Sequence, residues 1–234
     1  MNRDITNIIR YFMDEWIPPA IRDNKYFMYP IFHWFFNGKN IKTIMEFKSL
    51  LPFMSDADYE KIYKEISSKA SERPTDLNKK CIEYILREMA GGAENVLDVG
   101  CGRGFLLTKL LGAGAKNVWG CDLFDALPMD VMLDGINYKQ SNIECLPFAD
   151  NSFDVVICSH VLEHVRDLDK VVHEIKRVAK KKVIIVVPKQ RYYYYTLDLH
   201  IRFFHIEASL LSAIKMDGGM VKNIGGDFLF VGEK

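Results

Sequence analysis

A carboxylate followed by three glycines at alternate positions, Asp98-x-Gly100-x-Gly102-x-Gly104, is the most informative chemical spacing in the chain. Glycines serve where the backbone must take φ > 0 or let a ligand lie against it with no Cβ in the way. Dinucleotide loops usually read GxGxxG, because a pyrophosphate sits on the following helix N-terminus. Here Asp98 would repel a pyrophosphate and suits a ligand with a positively charged amino group. Asp122, ending the next apolar run, is placed to accept hydrogen bonds from both hydroxyls of a ribose. Further on, Ser159-His160-Val161-Leu162-Glu163-His164 brings two imidazoles whose ordinary pKa lies near working pH.

These residues need elements to hold them. Asn95–Val99 is an apolar run of strand character, and Phe105, Leu106, Leu107, Leu110 and Leu111 follow at helical spacing. Strand, glycine turn and helix form the local plan of a nucleotide-type cofactor site at the edge of a parallel sheet. From residue 96 onward strands and helices alternate, which predicts an α/β sheet with helices on both faces. Strands are expected at 95–99, 117–121, 136–140, 153–158 and 182–187. A late pair, 220–224 and 228–232, is separated by Gly225-Gly226, a hairpin signal. Helices are expected over about 76–89 and 168–179.

This segment resembles the class I S-adenosylmethionine-dependent methyltransferases, in particular the small-molecule "type 11" methyltransferase domain. The resemblance rests on the Asp98–Gly104 loop, on Asp122, on Leu146-Pro147-Phe148, and most specifically on the stretch from Asp150 through Phe153-Asp154 to Leu162-Glu163-His164. It covers roughly residues 76–234. It implies a Rossmann-like, mostly parallel seven-stranded sheet with an antiparallel last strand. It implies S-adenosylmethionine as methyl donor, S-adenosylhomocysteine as product, and no metal. Asp98, Gly100, Cys101 and Gly102 would hold the donor's amino acid end, Asp122 its ribose, and Leu123 and Phe124 its adenine. Asn142 stands where the family has an acidic residue for the adenine amine; its amide oxygen can still accept. Ile143 offers a backbone N–H to the adenine ring, and Ser159 passes beside the sulfonium. His164 is the first candidate for a general base and His160 the second; the alternative for His164 is a residue that caps or braces its loop. Two departures are the missing Pro-Gly-Gly turn, where Ala179-Lys180-Lys181-Lys182 runs straight into the fifth strand, and Pro128, which breaks the helix after Asp122.

Residues 1–75 lie outside this pattern and read as a helical, aromatic-rich lid or subdomain ahead of the methyltransferase domain at 76–234. Ile5, Ile8, Ile9, Phe12, Met13 and Trp16 recur at helical spacing up to Pro18-Pro19, and Ser55 with Asp58 is a capping-box start. The aromatic run from Tyr26 to Phe36, ended by Gly38, admits three readings: a helix whose rings share the sheet domain's core, a lid over the cofactor, or a segment that meets a lipid-linked acceptor at a membrane surface. Tyr192–Tyr195, with His200 and His205, follow the fifth strand. Tyr192, Tyr195 and His205 are candidates for an acceptor pocket wall; packing on the N-terminal helices is the alternative.

Lys+Arg and Asp+Glu both number 31, so the chain is formally neutral, which disfavours an enzyme that grips nucleic acid through many phosphates. The run Lys180–Lys182 reads as a solvated helix end. Five cysteines without CxxC or metal-ligand spacing read as reduced thiols in a cytoplasmic protein. Neither a signal peptide nor an apolar run near the ~20 residues of a membrane span is evident. The expected function is therefore in-line methyl transfer from S-adenosylmethionine to oxygen of a small-molecule or glycan-precursor acceptor, by a monomer or homodimer, with peripheral membrane contact allowed. A quinone or lipid acceptor stands second, protein or nucleic acid last. A nicotinamide oxidoreductase is disfavoured by Asp98, the glycine spacing and the lack of a Tyr-x-x-x-Lys pair. A non-catalytic binder on the same fold has Asn142 as its only support.

Overall fold

The computed structural model describes residues 12–13, 15–70, 74–89, 92–125, 127–128, 131 and 135–234, with the side chains of 67–70 excepted. Most of the amphipathic pattern from Ile5 to Trp16, and much of the stretch around Pro128, lie outside the described residues. The chain divides into two compact units, one of Met1–Arg73 with Gln190–Phe203, the other of Pro74–Lys189 with Phe204–Lys234.

The second unit is built on a seven-stranded sheet, counted among the described residues. Its strands are β1 Asn95–Val99, β2 Asn117–Asp122, β3 Ile136–Gln140, β4 Phe153–Ser159, β5 Ala179–Pro188, β6 Met220–Ile224 and β7 Asp227–Glu233. Their order is β3-β2-β1-β4-β5-β7-β6. β1 to β5 pair in parallel, and β7 runs antiparallel to both β5 and β6. Alternate residues on these strands face opposite layers. Val96, Val118, Val155, Ile157, Ile184 and Val186 pack with helices α5 (Lys79–Met89) and α6 (Phe105–Gly112) through Cys81, Ile85, Leu106, Leu107 and Leu110. Leu97, Val99, Val156, Cys158, Val183 and Ile185 pack with α7 (Leu168–Val178) and α8 (Glu207–Ile214) through Val171, Val172, Ile175, Val178 and Leu210. Helices thus cover both faces, as the alternation of elements predicts. Near-continuous apolar strands such as β4 and β5 are what a sheet buried on both sides requires.

Local chemistry sets the ends of these elements. Asn78 accepts the Cys81 N–H through Oδ1 at 2.9 Å, so α5 starts three residues later than its apolar pattern suggests. α7 ends at Val178 and β5 begins at Ala179 with no turn residue between them. At that junction Asp154 Oδ2 accepts the N–H groups of Glu94 (3.0 Å) and Asn95 (3.2 Å), while its Oδ1 pairs with Lys181 at 2.8 Å, clasping the start of β1 to β4 and β5. Gly225 and Gly226, at φ +63° and +88°, form the β6–β7 hairpin turn.

The first unit is helical: α1 Pro19–Arg22, α2 Lys25–Phe35, α3 Ile41–Leu50, a 3-10 turn Leu51–Phe53 and α4 Asp56–Ala70. Ser55 and Asp58 form the expected reciprocal cap, with Asp58 N–H to Ser55 Oγ at 3.2 Å and Ser55 N–H to Asp58 Oδ2 at 3.4 Å. The buried rings of Phe32, Phe36 and Phe47 join Ile44, Leu199 and the partly buried Tyr195 in a core belonging to this unit, rather than to the sheet. Gln190–Phe203 is tied to the helices through its main chain. Arg22 Nη2 donates to the Tyr192 carbonyl at 3.0 Å, Lys48 Nζ donates to the Tyr193 carbonyl, and the Tyr194 N–H donates to Asp23 Oδ1 at 2.9 Å. Burial pulls the Lys48 ammonium down to about 7, against the opposing pull of Asp198 and Asp23.

Candidate active site at the carboxyl ends of β1, β2 and β4

Strand order reverses between β1 and β4, and in open α/β sheets ligands bind at that switch point, beyond the carboxyl ends of the strands. The glycine loop starts there. The N–H groups of Gly100 and Cys101 both donate to the Cys121 carbonyl, at 2.8 and 3.0 Å, which draws the loop over the end of β2. The Gly104 N–H returns to the Cys101 carbonyl at 2.9 Å and closes the turn into α6. Gly100 has φ +73°, and a Cβ there would lie 2.2 Å from Val161 Cγ2. Only glycine lets the loop after β4 close against the loop after β1.

Asp98 is 1% exposed, and its Oδ1 has no hydrogen-bond partner. Burial, with Asp122 nearby, pushes its carboxyl up to about 8. A buried carboxylate oxygen without a partner is costly unless a cation or a proton reaches it. Asp122 is different. Its Oδ2 accepts the Gly102 N–H at 2.8 Å and its Oδ1 the Phe124 N–H at 3.3 Å, so it buttresses the loop and retains free lone pairs. Burial raises it, and those backbone donors oppose the rise. At Gly102, φ is +51° and a Cβ would meet no atom within 4 Å, so the loop borders open space there. A buried carboxyl whose Oδ1 has no hydrogen-bond partner among the described residues, beside an uncrowded glycine backbone, fits the amino acid end of an S-adenosylmethionine-like ligand.

Beyond β2, Gln140 Nε2 donates to the Leu123 carbonyl (2.9 Å) and the Tyr138 hydroxyl to the Phe124 carbonyl (2.7 Å), fixing the backbone at Leu123. Asn142 is exposed, and its Oδ1 accepts the Glu144 N–H at 2.9 Å; Ile143 packs against the core. The amide oxygen proposed for adenine is thus already engaged in a local turn. That segment is held from below by Arg177, whose contacts span it. Nη2 donates to the Leu146 carbonyl (2.9 Å), Nη1 to the Phe148 carbonyl (2.7 Å) and to Asp150 (2.8 Å), and Nε to Glu174 (2.7 Å). Periodicity on α7 marks Arg177 only as a polar position, so nothing local in the sequence signals this role.

Ser159 ends β4, and His160 follows at φ +55° with its N–H on the Val186 carbonyl at 2.8 Å. The His160 ring lies between two buried carboxylates, with Nδ1 3.3 Å from Glu163 Oε1 and Nε2 3.7 Å from Asp227 Oδ2. Burial alone would lower its pKa, but Asp227 and Glu163 outweigh it and raise it to about 9. The two carboxylates beside the ring favour its protonated form, which weighs against His160 as a base. His164 is half-buried on the same loop, its N–H on the Val161 carbonyl at 2.9 Å. Tyr192 and Tyr195 belong to the helical unit. The Tyr192 ring is half-exposed, 5.1 Å from Phe203, and Tyr195 stands edge-on to Phe32 at 6.1 Å. His205, in the sheet unit, is exposed. Cys101 is buried with a thiol raised by burial, and it closes the loop rather than offering a nucleophile. Among the described residues no disulfide joins the five cysteines, and no helix is long and apolar enough to cross a membrane.

Residues 97–187 match the family described as "Methyltransferase domain". The ubiquinone biosynthesis O-methyltransferase of Hahella chejuensis is 37% identical over 112 residues, covering 45% of this chain and 47% of that one. The enzyme of the same name from Sodalis glossinidius is 38% identical over 116 residues, covering 44% and 45%. The chain thus spans about half the length of the curated relatives it matches. Among solved structures, an S-adenosylmethionine-dependent methyltransferase from Aquifex aeolicus superposes with a TM-score of 0.54 at 22% identity, over 75% of this chain and 98% of that one. Magnesium protoporphyrin IX methyltransferase from Synechocystis, with bound S-adenosylhomocysteine, gives 0.51 at 17% identity, over 66% and 82%. Residues 97–187 of this chain thus match the methyltransferase domain family, and its sheet unit shares the fold of S-adenosylmethionine-dependent methyltransferases among the solved structures.

Proposed function

We propose that the chain is an S-adenosylmethionine-dependent methyltransferase acting on an oxygen of a small-molecule acceptor. The observation that carries this is Asp98: a buried carboxylate with an unpartnered oxygen, at the switch point of the sheet, behind an open glycine loop. S-adenosylmethionine supplies an already activated methyl group on a sulfonium. In the reaction the carbon–sulfur bond breaks, the electron pair stays on sulfur, and a carbon–oxygen bond forms. The protein's share is placement, and well-oriented reactants recover roughly 7–11 kcal/mol of barrier. Asp98 pairs with the ligand's ammonium, Asp122 accepts from its ribose hydroxyls, and Leu123, Asn142 and Ile143 border its adenine. Ser159 adjoins the sulfonium. His164 takes the proton released when the acceptor is a hydroxyl or phenol.

The O-methyltransferase names of the relatives support oxygen as the acceptor atom and favour a quinone-type or lipid-linked phenol alongside a glycan precursor. For acceptor choice, Tyr192 and Tyr195 are the first side chains to test and His205 the next. The protein acts in the cytoplasm, as a monomer or homodimer, and not on nucleic acid.

The test incubates the protein with S-adenosylmethionine labelled in the methyl group and an extract of its source cells. Label is then counted in polar-metabolite, lipid, glycan, protein and RNA fractions. Label concentrated in the lipid or small-molecule fraction, and absent with Asp98→Ala, is the expected result. S-adenosylhomocysteine binding without transfer to any fraction would favour a non-catalytic binder, and no binding at all would overturn the reading.

A further inference from the structure

Helix α2 turns mainly aromatic residues outward. Its inward side, Met28 and Phe32 with the partly buried Ile31 and Phe35, enters the core of the helical unit. Its outward side carries Tyr26, Phe27, Tyr29, Pro30 and Trp34, of which Tyr26 is 79%, Trp34 76% and Tyr29 52% exposed. An ordinary surface helix turns charged and polar residues outward, and singly scattered exposed apolar residues mean little. Here most of the outward face of one helix is aromatic, with His33 among the rings and Lys25 at its start. Contiguous exposed apolar surface of this kind marks an interaction site.

Residue types and charge decide the partner. Tyr and Trp are the side chains that settle at the headgroup level of a bilayer, with an apolar ring and one polar atom each. From Asn24 to Thr43 there is no acidic side chain, while Lys25, Lys39 and Lys42 are all exposed and His33 lies on the same outward face. Three exposed lysines and no carboxylate in this stretch of a chain that is neutral overall complement anionic headgroups. At about 1.5 Å per residue the helix is long enough to lie in the interface and too short to span it.

We propose that the outward face of α2 docks on the headgroup layer of an anionic phospholipid bilayer, with Tyr26, Tyr29 and Trp34 as the inserted rings and Lys25, Lys39 and Lys42 as the electrostatic contacts. Docking there would present the enzyme to acceptors that partition into lipid.

The test uses the full chain and sedimentation with vesicles of phosphatidylcholine alone or mixed with phosphatidylglycerol. Binding to the mixed vesicles, weakening as salt rises, is expected. Tyr26→Ser with Trp34→Ser should reduce it about tenfold or more. Lys25→Gln, Lys39→Gln and Lys42→Gln together should remove the preference for anionic vesicles. These side chains are exposed, so S-adenosylhomocysteine affinity and the thermal midpoint should stay at wild-type values. That separates loss of docking from loss of fold, and from failure of the methyltransferase reading. Absence of binding to mixed vesicles would overturn the proposal. So would a dimer in light scattering that Trp34→Ser dissociates, because a second copy would then cover the face.

Discussion

His160, just past β4, and Asp227, the first residue of β7, meet beyond the end of β5, with Nε2 and Oδ2 3.7 Å apart. Asp227 is fully buried and also accepts from Asn78 Nδ2 at 2.8 Å, while Asn78 Nδ2 reaches the Ile224 carbonyl at 2.9 Å. A chain of polar contacts therefore runs from the start of α5, through the β6–β7 hairpin, to the loop that carries His164 and closes Val161 against Gly100. Removing one member of a buried ion pair costs about 3–5 kcal/mol, because the other charge is left without compensation. Asp227→Asn should lower stability by an amount of that order near neutral pH. The sign with pH follows from the raised His160 pKa. Its contribution is complete below the unfolded value of 6.5 and is lost as pH rises through about 9. Thermal denaturation between these limits should show the wild type losing stability, and Asp227→Asn losing less; parallel curves would contradict the clamp.

Asp98 predicts a trade between stability and binding. Its carboxyl is raised from 3.8 to about 8 in the free protein, so its contribution is complete below 3.8 and is lost as pH rises through about 8. Asp98→Asn should therefore be more stable than the free wild type at pH 8, by up to a few kcal/mol. The same change removes a charge-assisted contact of about 1.5–3 kcal/mol, so S-adenosylhomocysteine affinity should fall about tenfold to a hundredfold. Calorimetry and thermal melts on one preparation check both. A variant that binds as the wild type does would remove Asp98 from the site.

Gly100 and Val161 form a steric pair. Gly100→Ala would place a Cβ 2.2 Å from Val161 Cγ2 in a left-handed backbone. Ligand binding should drop sharply and stability by roughly 1–3 kcal/mol. Val161→Ala in the same chain should restore part of both, since it removes the clashing methyl and leaves only the backbone strain. A double-mutant cycle reads the coupling; strict additivity would mean that the two loops do not close on each other.

Arg177 is predicted to act on binding from outside the pocket. Its guanidinium holds the Leu146 and Phe148 carbonyls, and Glu174 accepts the Leu146 N–H at 2.8 Å. Arg177→Met keeps the packing of the stem and drops the donors. It should cost about 2–3 kcal/mol of stability and weaken adenosine-containing ligands more than methionine. Competition binding with adenosine and with methionine distinguishes this from a general loss of fold.

Much of this protein was legible in the residue order. The strands of the sheet were, because a sheet buried on both faces demands apolar runs of five to seven residues punctuated by glycine and polar turns. β5 begins three residues earlier than the apolar run beginning at Lys182, since Ala179–Lys181 join the strand through backbone pairing and through Asp154, which hydropathy does not register. The glycine loop and Asp98 were legible for a similar reason. A backbone that must turn tightly, and an acidic residue at the end of an apolar strand, leave a local signature. What no local pattern encodes is which distant groups meet. Asp227, far from His160 in the chain, joins the neighbouring Glu163 beside its ring and raises its pKa. Arg177 looks like a solvated helix residue until the 146–150 segment folds over it. Gln190–Phe203, which follows the fifth strand in sequence, is built into the core of the helical unit. Those outcomes depend on long-range burial, where the removal of water makes each charge answer to its nearest partner. The sequence by itself determined the elements, the switch-point loop and the place of Asp98 at its head; tertiary packing decided which carboxylates flank His160 and the company of the tyrosines.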